Sequence, residues 1–263
     1  MIFLSLWRHR YLIWQMAKRD VIGRYRGSLM GLMWSFFNPL IMLAVYTFVF
    51  SVVFQARWGV DTSNKMNFAV VLFSGLIVHT FFADCLNRAP GLILSNVNYV
   101  KKVVFPLEIL PWVAMGSALF HAGMSLLVLL SFTAWMNAGL HWTVIFLPVI
   151  LFPLLFLTMG ASWFLASFGV FVRDVGQAMG LVTMALMFLS PIFYPISSLP
   201  EAYRGYLYLS PLTFIIEQTR AVLLMGNPPN WAGLGLYLLI SLLIAWLGLF
   251  WFQKTRKGFA DVL

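Results

Sequence analysis

The sequence predicts an all-α integral membrane protein. It has six transmembrane helices, an N-terminal amphipathic interfacial helix, and re-entrant outer helices between spans five and six. Three observations carry this reading. Between Glu108 and Arg173 the chain runs 64 residues without one Asp, Glu, Lys or Arg, and at about 1.5 Å of rise per residue, with roughly 20 apolar residues per crossing, that stretch holds two spans. The composition, 62% hydrophobic and 10% charged, excludes an ordinary soluble domain. Charge-free windows recur along the whole chain, and none has the strand-length alternation of a lipid-facing barrel.

In residues 1–26, Leu4, Trp7, Tyr11, Trp14, Val21 and Tyr25 fall at helical spacings, with Arg8, Arg10, Lys18 and Arg19 on other faces or at the edge of that stripe. A basic helix with an aromatic face lies in the headgroup plane, the alternative being a mere positive-inside anchor. The segment has no uninterrupted apolar core of the kind a signal peptide needs. Spans follow over 30–55, 66–86, 109–136, 143–171, 176–197 and 233–252, the third and fourth separated by Asn137, Gly139 and His141. Residues 253–263 form a tail. One domain over 1–263 accounts for the length, with no room for a separate soluble domain.

Two connecting segments have structure of their own. In the largest inner loop, Ile93, Val97, Val100 and Val104 recur at spacings of 4, 3 and 4, with Ser95, Asn96, Asn98, Lys101 and Lys102 between them and Pro90 and Pro106 at the ends. This pattern predicts a short helix over 91–104 that either lies on the membrane or acts as the lever by which a soluble partner moves the spans. Residues 191–230 are too polar and proline-broken for a span, yet 212–216 and 221–225 are apolar. A pair of half-length helices over 199–225, dipping back from the outer face as a gate, fits that mixture, with an ordinary interfacial loop as the alternative.

Orientation follows from the cations. Thirteen of the 17 Lys and Arg residues fall in the segments placed inside when the N-terminus is cytoplasmic; Arg57, Lys65, Arg204 and Arg220 fall outside. Both termini therefore belong in the cytoplasm. The net charge of +9 expresses topology, because these cations are scattered among membrane anchors and form no nucleic-acid patch.

The chain lacks a power source. A phosphate-cradling loop needs Lys followed by Ser or Thr; only Lys254-Thr255 qualifies, and Gln253 stands where Gly is required. Span interiors carry no Asp, Glu, Lys or Arg for ion coupling, while Asp84, Arg88 and the Arg173–Asp174 pair sit at span ends as anchors and a local ion pair. The single Cys85 excludes an internal disulfide, and His79, His121 and His141 lack metal-ligand companions at helical spacing. One catalytic alternative exists, an intramembrane serine hydrolase with Ser162 as nucleophile and His121 as base. Its likeness to rhomboid proteases is partial: Trp163 replaces the expected glycine, and no histidine follows Ser162. Small residues at 160–162 read more simply as helix-packing contacts.

Taken together, several segments carry a resemblance: RYRGSLMGLMW at 24–34 with Asn38-Pro39-Leu40, YVKKVVFPL at 99–107, VRDV at 172–175, SPIFYP at 190–195 and GFADV at 258–262. The chain resembles, along its whole length, the permease subunits of ATP-binding-cassette polysaccharide exporters, which move lipid-linked O-antigen, capsule and wall teichoic acid. The resemblance implies a non-catalytic permease in the bacterial inner membrane, built as a homodimer with two copies of a separate ATPase subunit that binds ATP and Mg. It places the N-terminal helix and the 91–104 helix, through Ile93, Val97, Asn98, Val100, Lys101, Lys102 and Val104, on the ATPase, and makes 199–225 the outer gate. A lipid-linked polysaccharide, O-antigen first among the candidates, needs cations at its phosphate, for which Arg24 and Arg26 with Tyr25 are placed. It also needs sequence-tolerant stacking along its sugars, for which Trp34, Phe37, Tyr46, Phe193 and Tyr194 are chosen. A small-molecule exporter permease is the nearest rival.

Overall fold

The structure is a computed structural model that describes residues 2–53, 68–101, 105–137 and 139–263, with no strand among them. Its α-helices in chain order are α1 Ile2–Arg24, α2 Trp34–Tyr46, α3 Phe68–Arg88, α4 Val97–Lys101, α5 Leu110–Asn137, α6 Leu147–Phe171, α7 Val175–Leu189, α8 Glu201–Leu207, α9 Thr213–Leu223, α10 Trp231–Thr255 and α11 Phe259–Val262. Five described stretches are long and apolar enough to cross a membrane: Gly31–Phe50, Phe68–Gly91, Leu107–Met136, Trp142–Phe171 and Trp231–Val262. They coincide with predicted spans one to four and six. The junction of spans one and two, with Arg57 and Lys65, lies outside the described residues.

Predicted span five is shorter than expected. Its helix α7 has 15 residues, about 22 Å of rise against a hydrocarbon core of about 30 Å. Helix α7 stops because Pro191 follows: Ser190 is extended at φ −102 and ψ 152, the conformation a following proline ring favours. The inner-loop helix expected over 91–104 is also corrected. It divides into 3-10 turns at Ala89–Gly91 and Leu94–Asn96 and the five-residue α4; residues 102–104, with Lys102 and Val104, lie outside the described residues. Ser95 Oγ donates to the Gly91 carbonyl at 2.7 Å and Asn96 Nδ2 to the Leu92 carbonyl at 2.9 Å, local bonds that compete with a continuous helix.

Helix α3 is the hub, packed against α2, α5, α6, α7 and α9. Between Phe68 and Leu86 only Thr80 and Asp84, one turn apart, escape full burial. His79 Nε2 lies 2.9 Å from the Thr183 carbonyl and ties α3 to α7. Helix α1 lies on α5 with Met16, Ala17 and Val21 buried, while Trp7, Tyr11 and Trp14 are 71%, 72% and 69% exposed. Trp7, Tyr11 and Trp14 of the aromatic stripe thus face away from the protein, while Val21 and Tyr25, expected within that stripe, turn toward the neighbouring helices.

The most extensive helix contact is between α6 and α10. A Cβ on Gly160 would meet the backbone of Ile244 and Ala245, and one on Gly248 would meet the Gly160 carbonyl, all inside contact distance. Two glycines therefore let the helix backbones touch, as small residues do in membrane bundles. Gly248→Ala should destabilise the protein by about 1–3 kcal/mol. Gly235→Ala, whose Cβ meets nothing within 4 Å, should not. Thermal melts of the purified protein in detergent test this, and equal melting temperatures would remove the glycine contact as a source of stability.

Candidate functional site

Arg24, Asp84, Arg88 and Asp20 gather where the end of α1 meets the end of α3. Helix α1 ends at Arg24, and Gly27, in the left-handed region at φ +85, reverses the chain toward α2, as glycine does after a helix C-terminus. At the end of α1, Arg24 Nη2 lies 3.3 Å from both carboxylate oxygens of Asp84 on α3. One turn on, Arg88 Nη2 donates to Asp20 of α1 at 2.7 Å, and Arg88 Nη1 lies 3.9 Å from Asp84. Asp84 and Arg88, expected as anchors at span ends, are thus paired with each other and with α1. Arg173 and Asp174 stand exposed in the turn between α6 and α7.

Beside this cluster a cleft of about 330 Å³ opens between α2, α3 and α5. Arg24, Tyr25, Asp84 and His121 line its charged end; Ser35, Asn38, Thr80 and Ser125 add hydroxyls and an amide; Tyr46 and Phe73 line it further along. Tyr25 Oη lies 3.3 Å from His121 Nδ1, the rings edge to face. Partial burial raises the Tyr25 phenol above its ordinary range, against the opposing pull of Arg24. A cation at the mouth of a mostly apolar cleft that carries a few hydroxyls and one amide suits an amphiphilic phosphate ester.

The predicted site residues do not all converge. Arg24, Tyr25 and Tyr46 share the cleft, whereas Arg26 is exposed and borders a separate shallow groove with Lys18 and Arg19. Trp34 and Phe37 are half-buried on α2, Phe37 edge-on to Phe36. Phe193 stacks on Phe188 with centroids 5.6 Å apart, and Tyr194 Oη donates to the Phe188 carbonyl at 2.7 Å; both are tied to the C-terminal end of α7. In the inner loop Ile93 is fully buried, Val97 and Val100 are half-buried, and Asn98 and Lys101 are exposed. Ile93 is thus an anchor, and Asn98 and Lys101 are the groups on offer to a partner.

No hydrogen bond joins Ser162 to His121: Ser162 is buried on α6, outside the residues lining the cleft, while His121 Nδ1 faces Tyr25. No group of three or more potential metal ligands occurs among the described residues.

Sequence reasoning missed the role of Arg220, which it treated as an outer-loop cation. Arg220 is 1% exposed on α9. Its Nε donates to the Val71 carbonyl of α3 at 3.2 Å, Nη2 to the Ile192 carbonyl at 3.1 Å, and Nη1 to the Pro191 carbonyl and to Glu217. Gly75 makes the space, since a Cβ there would lie 2.9 Å from Nη2. The available signal was Glu217 three residues before Arg220 within an apolar run.

A helical bundle with five described stretches long and apolar enough to cross a membrane is the frame of a multi-pass membrane protein. The chain belongs to the family described as ABC-2 type transporter, whose model matches residues 11–224, and is accordingly a non-catalytic permease subunit, which removes the hydrolase alternative. It is 26% identical to the O-antigen export system permease protein RfbA of Myxococcus xanthus, over 98% of this chain and 97% of that protein. It is 24% identical to the polysialic acid transport protein KpsM of Escherichia coli, over 91% and 92%. To the capsule polysaccharide export inner-membrane protein CtrC of Neisseria meningitidis it is 24% identical, over 97% and 94%.

Arg220→Met would keep the length of the side chain and leave its backbone acceptors without their donor. A cost of about 3 kcal/mol or more is expected, with protease cleavage increasing in 190–230. Arg220→Lys, lacking the planar fork, should recover only part of it. Melting temperature and limited proteolysis measure both, and a wild-type profile for Arg220→Met would show the clamp to be dispensable.

Proposed function

We propose that the chain is the membrane-spanning subunit of an exporter of lipid-linked polysaccharide, O-antigen first among the candidates, in the bacterial inner membrane. It works as a homodimer with two copies of a separate ATPase subunit that supplies ATP and Mg. Similarity along nearly the whole chain to the O-antigen permease RfbA carries this reading. The absence of a phosphate loop from the sequence supports a separate ATPase.

In this reading both termini are cytoplasmic, and α1 lies in the interface with its outward aromatic face in the headgroups. Helix α7 with the segment to 197 makes a sixth crossing, and α8 and α9 form the re-entrant outer gate. The exposed Asn98 and Lys101 of α4 meet the ATPase. Arg24, Tyr25 and Arg26 receive the substrate phosphate, and Trp34, Phe37, Tyr46, Phe193 and Tyr194 contribute stacking surfaces once two protomers assemble. Sugars present apolar faces to such rings, so a long polymer can slide without a fixed register.

Replacing both Arg24 and Arg26 with Gln should remove about 1.5–3 kcal/mol for each charge-assisted bond to phosphate. Substrate-stimulated ATPase activity and export should fall, with basal activity and assembly retained and lipid-linked polymer accumulating inside the cell. Normal export by a correctly oriented double variant would reduce the two arginines to topology signals.

The partner surface has its own test. Lys101→Glu should lower ATPase copurification at unchanged melting temperature, whereas Ile93→Ala should lower the melting temperature by a core-cavity cost of about 2–5 kcal/mol. If Lys101→Glu recovers as much ATPase as wild type, α4 is not the docking element.

A further inference from the structure

Arg24, the cation assigned above to the substrate phosphate, is occupied by a carboxylate from its own chain. We infer that Asp84 is a resident competitor for a phosphate-ester site at the mouth of the α2–α3–α5 cleft, displaced from Arg24 when the lipid-borne phosphate binds and received by Arg88. The inference rests on the export reading and adds the means by which the empty site is kept neutral and selective.

Three observations support it. The Arg24–Asp84 contacts, 3.3 Å to each oxygen, are longer than the 2.7–2.9 Å typical of charge-assisted bonds, and the Arg24 side chain is 40% exposed. This is a loose clasp, open to exchange. Arg88 has a donor in waiting: Nη1 is buried without a hydrogen-bond partner, 3.9 Å from Asp84 Oδ2, while Nη2 is held by Asp20. Asp84 and Arg88 are four residues apart on α3, so a side-chain rotation closes the gap. The released carboxylate is therefore never left unpaired.

The third observation is the charge count. Arg24, Arg88, Asp20 and Asp84 sum to zero, so an arriving anion gains full use of Arg24 only by displacing Asp84. Asp84 is tethered at high effective concentration, so an anion offering charge alone competes poorly. A ligand that also places sugar hydroxyls against Ser35, Asn38, Thr80 and Ser125 has a further source of affinity in the cleft. The chemical class selected is thus a lipid-linked phosphate ester that carries sugar.

The test is equilibrium binding to the full permease–ATPase complex in nanodiscs. The probe is a radiolabelled polyisoprenyl phosphate bearing one hexose, with phosphatidylglycerol and inorganic phosphate as comparators. Asp84→Asn should tighten binding of the probe about three- to fivefold, the scale of a partly exposed ion pair, and Arg88→Gln should weaken it by a similar factor. In the Asp84→Asn background Arg88→Gln should have no further effect. Arg24→Gln should weaken binding with or without Asp84; if it does not, the phosphate-entrance reading itself fails. If Arg24→Gln weakens binding while Asp84→Asn leaves it unchanged or weaker, the entrance stands and the displacement is wrong. Equal tightening toward phosphatidylglycerol would overturn the sugar-bearing class. Should Asp84→Asn fail to assemble, Arg88→Gln decides alone, unchanged binding overturning the exchange.

Discussion

A buried guanidinium has to find acceptors for its donors within the protein, and that requirement at Arg220 organises one half of the molecule. Its acceptors come from three places: the Val71 carbonyl inside α3, the Pro191 and Ile192 carbonyls just past the end of α7, and Glu217 on its own helix. The carbonyls after α7 are available because Pro191 stops the helix, and space beside α3 is available because residue 75 is glycine. Helix stop, missing side chain and buried cation are one device. Nearby bonds reinforce it: the Ser190 and Ser210 hydroxyls lie 2.7 Å apart, and Tyr237 of α10 donates to the Pro211 carbonyl at 2.7 Å.

The opposite end is organised differently. There the charges are partly exposed and paired in short links between elements: Arg24 with Asp84, Arg88 with Asp20, and Arg256 with Glu108 at 2.8 Å. Partly exposed pairs exchange partners at little free-energy cost, whereas breaking a buried, multiply bonded cation costs several kcal/mol. The most exchangeable electrostatics thus lie where α1 meets α3, at the phosphate entrance proposed above, and the least exchangeable where α9 is fastened to α3.

Much of the fold was legible because a bilayer imposes a simple rule, and charge-free windows of the right length located the five long helices. The rule fails where local chemistry intervenes. The valine stripe over 93–104 has helical period, but Ser95 and Asn96 bond back to the chain and break the helix it promised. Span five was overextended because Phe193 and Tyr194 are apolar enough to prolong a hydrophobic run that Pro191 has already ended. The site was legible only in part. Arg24 and Tyr25 were found from their place between the interfacial helix and the first span, but Asp84 stands 60 residues away and its pairing leaves no local mark. Arg220 looked like a loop cation because carbonyl acceptors have no signature in the sequence. Aromatics are so abundant in this chain that those facing a cleft and those facing lipid share one composition, and only Tyr46 of the five chosen lines the cleft.

Helix α2 is attached to the rest of the protein along a narrow strip. Its buried residues are Ser35, Pro39 and Leu43, each four positions from the next and so on a single line down one face. A cylinder held along one line resists sliding but not rolling. Because α2 forms one wall of the cleft and α3 and α5 the others, the compliant wall is α2. A small roll of α2 about that line would change the width of the cleft while the buried length of α3 stayed in place.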